Sequence, residues 1–460
     1  MKKVAALLLA APAFLLLTAQ APLETAGPTK AARIVRVSAD ILPFDSSEQP
    51  ETQAEPYVAV NPENEKHLVA VYQEGRNIQG GGARAITVAV STDGGRKWQE
   101  ALLPGSPATG GPYKRISDPW VAFGPGNRVY CAVVALNEIG AESGIFVAAS
   151  RDGGRTWGDL VAVHTLSNHL DDKEAVVVDT RLDSPYRGRV HVVWDANLGN
   201  GDQDLQSSYS DDEGRTWSPP LSLFRQGANV GAIPLVGPGG ILHAVWAHID
   251  RQTGASALWA AHSEDGGNTW SAPVQVSTLS PGLVPEIRHA GIVPSAAMNP
   301  RTGHLYVVWT DERFSPGINR ILLSRSTDGG QGWTEPQVVS DGPGNAQSFT
   351  PAVAVAGNGR VGVAYSSLRN APDRRYLVDE YLAVSKNNGQ SFGASKRISP
   401  TSWDIRFAAI ADESFFLGDY QGLGAGKASF YPVWVATLNV SRLDPPARQP
   451  DVFTVSVPAR

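Results

Sequence analysis

Ser150-Arg-Asp152-Gly-Gly154-Arg-Thr-Trp157 is the stretch that decides the fold. A short carboxylate accepts hydrogen bonds from backbone N–H groups just after it, and glycine supplies positive φ, so the chain reverses within a few residues. The aromatic ring folds back over the turn and packs between neighbouring sheets. The pattern recurs at residues 91–98, 210–217, 263–270, 326–333 and, with Asn387 and Phe392 as substitutes, 385–392. The leading serines stand 59, 60, 53, 63 and 59 residues apart. Near-constant spacing marks a repeat architecture. Since the same acids recur in every unit, they read as hairpin staples rather than ligands or catalysts.

The flanking sequence repeats as well. Before each motif lies an apolar strand, such as residues 85–90, 144–149 and 320–325. Earlier comes a strand ending in an aromatic: Tyr72, Trp194, Trp246, Trp309. Earlier again is a short apolar strand, often opened by proline, as at Pro56, Pro119 and Pro351. Almost wholly apolar strands suit the lining of a buried axis. Four strands per unit make a propeller blade. The fold class is all-β, a β-propeller of four-stranded blades. Seven blades are favoured, the seventh beginning near residues 416–420, with six as the alternative. The strand at residues 33–38 then closes the last blade and removes an open edge.

Composition agrees with a folded, globular chain. Charged residues are 18% and hydrophobic residues 42% of 460. The net charge is -6 without a basic block, which argues against a nucleic-acid partner. Lys2 and Lys3, an apolar run over residues 4–17 and the small-x-small Ala19-Gln20-Ala21 read as an export signal, too short for a membrane span. The expected organisation is a signal peptide at 1–21, a linker at 22–32 and one propeller domain at 33–460, placing the protein outside the cytoplasm. Cys131 is the only cysteine, so no internal disulfide can form; it reads as an inert core thiol.

The repeated Ser-x-Asp-x-Gly-x-x-Trp boxes resemble those of the sialidase (neuraminidase) superfamily, the BNR or Asp-box propellers. That resemblance implies arginines that grip a carboxylate, an aspartate acid/base and a tyrosine nucleophile. Gln73-Glu74-Gly75-Arg76 matches the family's arginine after the second strand. The place of its first arginine reads Ala54-Glu55-Pro56-Tyr57, and residues 77–84 hold no aspartate. The chain looks more similar to a looser group of secreted sialidase-like propellers through Asp118-Pro119, Asp172-Lys173, Asp311-x-Arg313 and Gly418-Asp419-Tyr420. It departs from that group at Trp434-Val-Ala-Thr.

Strand order puts all box turns on one face. The loops between second and third strands, and those between blades, fall on the other, around the axis mouth. They carry charges of both signs. The candidate catalytic residues are Asp118, Asp172 and Glu174 for acid/base work, with Tyr420 and Asp419 as a supporting pair. Arg76, Lys173, Arg288, Arg313, Gln347 and Arg369 are candidates for substrate contacts. Carboxylates at strand starts also serve as backbone caps. His164 and His169 beside Asp171, and Asp202 with Asp204, match no strong ligand spacing, so no metal and no cofactor are expected. Two functions remain open: a glycoside hydrolase acting on anionic glycans, and a non-catalytic propeller that binds glycans or proteins.

Overall fold

A computed structural model describes residues 33–43, 45–46, 48–49, 51–79, 81–137, 142–167, 170–289, 291–370, 376–438 and 449–460. The expected signal peptide and linker, and His169, lie outside these residues. Arg33–Arg460 form one compact unit. Among the described residues no helix is long and apolar enough to cross a membrane.

The protein is a β-propeller. Sheet 1 pairs Gln53–Val60, Leu68–Arg76, Ala83–Ser91 and Gln99–Leu102 in that order. Sheet 2, joined to sheet 1 by the one pair Ala83 and Ile116, runs from Arg115–Phe123 to Val161–Leu166, sheet 3 from Asp171–Val178 to Leu221–Phe224, and sheet 4 from Ala228–Val236 to Val274–Thr278. Sheet 5 begins at Ser295–Met298 and sheet 6 at Ser348–Val355. Sheet 7 orders Gly422–Ala425, Ser429–Ala436, Asp451–Thr454 and then the N-terminal Val35–Arg36, with Val35 opposite Thr454. Each innermost strand packs beside the next, and that of sheet 7 lies beside that of sheet 1.

The seventh innermost strand starts at Gly422, later than the 416–420 expected. Glycine is the physical reason. A Cβ on Gly422 would sit 2.8 Å from the Val58 nitrogen, so only glycine lets this strand approach sheet 1. Phe416 belongs instead to a small three-stranded piece. There Ser414–Phe416 pairs antiparallel with Ala409–Ala411 and parallel with Ile287–Arg288.

Each box staples its hairpin as the sequence implies. Ser150 Oγ accepts from Gly154 N at 2.8 Å and donates to Asp152 Oδ1 at 2.9 Å. That oxygen also accepts from Arg155 N at 3.0 Å and Thr156 N at 2.9 Å. Against slight burial, hydrogen bonds from Thr156 and Ser150 bring the Asp152 carboxyl down to about 2. Cys131 is fully buried and burial pushes its thiol up, away from reactivity.

A second repeated device shapes the mouth. Five innermost strands carry a β-bulge at the same level, where two residues oppose one. The pairs are Glu55-Pro56, Asp118-Pro119, Lys173-Glu174, Gly231-Ala232 and Thr350-Pro351. Tyr72, Val133, Trp194, Trp246 and Tyr365 stand opposite them, all buried. The first residue of each bulge has positive φ: 53°, 52°, 51°, 66° and 49°. Such bulges re-aim a side chain out of the pleat, and a non-glycine residue there is strained.

Candidate functional site

The bulges of sheets 1, 2 and 3 aim Glu55, Asp118 and Lys173 at one another. Lys173 Nζ donates to Asp118 Oδ2 at 2.6 Å and to Asp419 Oδ2 at 2.8 Å, and lies 3.8 Å from Glu55 Oε1. Asp419 also accepts from Arg288 Nη2 at 2.8 Å. Arg288 reaches Asp412 at 3.1 Å with its other nitrogen. The guanidinium carbons of Arg76 and Arg288 lie 4.2 Å and 4.8 Å from the centroid of the Phe416 ring. These groups line a cavity of about 540 Å³ at the axis mouth, walled on one side by Ile410, Ala411 and Phe416 of the three-stranded piece.

Charge is divided unevenly among the acids. Burial and the Asp118 charge push the Glu55 carboxyl up to about 8. Burial brings Asp172, which also lines the cavity, up to about 6. Asp118 and Asp419 are equally enclosed, yet the Lys173 ammonium beside them outweighs their burial and holds both below the usual range. Burial opposes the Lys173 charge, but the facing carboxylates keep it firmly protonated. The site therefore sets two carboxylates clamped by an ammonium next to a carboxyl whose burial favours the protonated form. Glu55 accepts from Gln73 Nε2 and, at 3.3 Å, from Asp419 N, while Gln73 also accepts from Arg76 Nη1 at 2.9 Å.

The other candidates are placed as follows. Glu174 is buried and does not line the cavity; neither carboxyl oxygen has a hydrogen-bond partner among the described residues, and burial raises it well above the carboxylate range. Tyr420 donates its hydroxyl to the Pro119 carbonyl at 3.1 Å. Its ring sits 5.4 Å from Trp120, which stacks on Tyr57 at 3.6 Å, so three aromatics occupy the axis below the charged groups. Arg313 grips Asp311 at 2.7 Å and 2.9 Å and bonds Ser277. Gln347 spans Asn319 N and Gly317 O. Arg369 pairs with Asp341 and lies 3.4 Å over the Tyr381 ring. These last three serve their own loops and do not line the cavity. Among the described residues no group of three or more His, Cys, Asp and Glu side chains could hold a metal ion.

Sequence reasoning did not single out Glu55. Its signal was available: an acid-proline step at 55–56 repeats the step at 118–119, in the same place of the preceding blade.

A family profile described as a BNR repeat-like domain matches residues 128–433. The chain belongs to the BNR repeat-like family. No curated protein matches it in sequence. Among solved structures, this BNR repeat-like propeller is similar to an ulvan lyase, at 10% identity over 90% of this chain and 96% of that one, with a TM-score of 0.51. It is also similar to a Hadza microbial sialidase, at 16% identity over 86% and 75% of the two chains and a TM-score of 0.47. A third is the α-L-arabinofuranosidase of Fusarium graminearum with arabinobiose, at 14% identity over 92% and 97% and a TM-score of 0.47.

Proposed function

We propose that this protein is an exported carbohydrate-active enzyme that hydrolyses a glycosidic bond of an anionic glycan at the charged mouth. The observation that carries the reading is Glu55, a buried carboxyl still protonated near neutrality, set against the Lys173 bridge between Asp118 and Asp419. An acid with a pKa near the working pH is suited to protonate a leaving glycosidic oxygen. Asp172, ionised above about 6, is the complementary base or nucleophile. Arg288 and Arg76 supply guanidinium charge for a substrate anion, and Asp118 with Asp419 fix Lys173 between them. Export by the leader at 1–21 and a single domain at 33–460 belong to the same reading.

One observation favours a second reading, a propeller that only binds glycans. The Tyr420 hydroxyl is engaged with a backbone carbonyl, so the tyrosine that the sialidase resemblance implies is not free to attack. One experiment separates the two. The purified protein is assayed on fluorogenic glycosides, a sialoside included, and on uronate-bearing and sulfated polysaccharides by reducing-end release. Turnover is expected, with Glu55→Gln lowering kcat by about 10²–10⁴-fold. Saturable binding without turnover anywhere in the panel establishes the second reading.

A further inference from the structure

The box face, opposite the mouth, has a charged groove of its own. It lies between sheets 2 and 3 and encloses about 320 Å³. Its centre is Glu213, in the third box. Four other boxes have glycine at that position: Gly94, Gly153, Gly266 and Gly329. Glu213 takes the same left-handed turn at φ 66°, where glycine is the usual residue. Its carboxylate is surrounded by arginine: Arg128 at 2.6 Å, Arg151 at 3.3 Å and Arg215 at 3.5 Å.

Positive charge exceeds what the acids can absorb. Arg128, Arg187 and Arg189 line the groove and Arg151 and Arg215 reach Glu213, five guanidiniums against the groove's two carboxylates, Asp211 and Glu213. Asp152 and Asp212 face their own turns, each accepting from two backbone N–H groups. Arg189 is fixed on Asp211 at 2.8 Å. Arg187 is exposed and has no ion-pair partner among the described residues. The Arg128 Nε is buried without a hydrogen-bond partner among them. This local excess stands on a chain whose net charge is -6.

We infer that this groove is a second, non-catalytic site that holds an anionic polysaccharide by its sulfate or carboxylate groups. Arginine forks pair with such oxyanions in two-point geometry. The Tyr186 ring, also in the groove, carries the Arg189 guanidinium 4.7 Å from its centroid and so helps to fix that cation in place. The groove lies on the face opposite the mouth, so it keeps a polymer close to the enzyme without filling the catalytic cavity, raising the local concentration of cleavable chain. The choice of polysaccharide as ligand rests on the proposed carbohydrate activity.

The test uses the full mature chain and two named probes, chondroitin sulfate and polygalacturonate, in affinity electrophoresis and calorimetry at about 50 mM salt. Wild type is expected to bind one of them. The triple change Arg151→Ala, Arg187→Ala, Arg215→Ala should weaken binding at least tenfold while its thermal transition and its turnover of a short oligosaccharide stay unchanged. Glu213→Gln, which removes the competing carboxylate, should tighten binding. Failure of wild type to bind either probe, equal binding by the triple variant, or equally tight binding of a DNA duplex overturns the inference. Absence of turnover in a protein whose groove still binds would defeat the catalytic reading alone.

Discussion

Replacing Lys173 by methionine tests the electrostatic core of the site. The ammonium lies 2.6 Å from one carboxylate and 2.8 Å from another, both carboxylates buried and the lysine side chain 11% exposed. At an effective dielectric of about 20 each contact represents on the order of 6 kcal/mol of attraction, most of it cancelled by desolvation. Removing one partner of a buried pair leaves the other uncompensated and typically costs about 3–5 kcal/mol. Arg288 still neutralises Asp419, so the loss falls mainly on Asp118. The sign with pH follows. In the wild type Asp118 has a lowered pKa, so its contribution is present above the unfolded value of about 4 and fades as pH falls. In Lys173→Met burial acts without its counterweight, the Asp118 pKa rises above that of the unfolded chain, and the penalty grows as pH rises. Urea midpoints at pH 5 and pH 7.5 should therefore show a gap between variant and wild type that is already present at the lower pH and widens toward about 3–5 kcal/mol at the higher. A gap that is equal at both, or wider at pH 5, refutes the assignment of charges.

Three further outcomes are expected. The kcat/KM profile should be a bell with limbs near about 6 and about 8, the macroscopic values of the coupled acids, and Glu55→Gln should remove the alkaline limb; an unchanged profile excludes Glu55 as the proton donor. Gly154→Ala places a Cβ 2.9 Å from Val69 Cγ2, whereas Gly329→Ala meets nothing within 4 Å, so at similar backbone strain the first should cost about 1–3 kcal/mol more in chemical denaturation. Deleting residues 33–38 uncovers the edge of Asp451–Thr454, and light scattering should show association where the intact chain is monodisperse; a monodisperse deletion with an unchanged melting temperature means that the N-terminal strand does not seal the sheet.

The boxes made the architecture legible because their physics is local. Ser150, Asp152, Gly154 and Trp157 satisfy one another within eight residues, so a short window contains the whole interaction. The site is different in kind. Glu55, Asp118 and Lys173 come from three different sheets and Asp419 from the loop ahead of the seventh, and they meet only once the ring is formed. Loop order alone groups Arg313, Gln347 and Arg369 with them, since all sit on loops of one face. What separates the two sets is side-chain direction: Arg313 folds back onto Asp311, and Arg369 onto Asp341 and Tyr381. No spacing rule encodes that. Glu55 was obscured for another reason, because its position reads as the vacancy of an expected arginine rather than as an acid in its own right.

The bulges explain how one repeat yields both a scaffold and a site. A box has nearly the same residues in the six blades that carry one, so its leading acid or amide is spent on its own turn. A bulge has the same backbone in five blades but a different occupant in each: Glu55, Asp118, Lys173, Gly231 and Thr350. The backbone of each is held by the paired strand and by the buried residue opposite, aromatic in four of the five cases. Left-handed conformation is unfavourable for Glu, Asp, Lys and especially β-branched Thr, by about 1–2 kcal/mol each. Such strain persists only where surrounding structure imposes it. The framework therefore fixes where each occupant points, while its identity can vary independently of the fold. Acid, acid and base in three consecutive blades give the mouth its Lys173 clamp, while glycine in the fourth lets that strand pass Val293, which a Cβ would approach to 3.0 Å. Chemistry here is a matter of which residue fills a position that the repeat has already aimed.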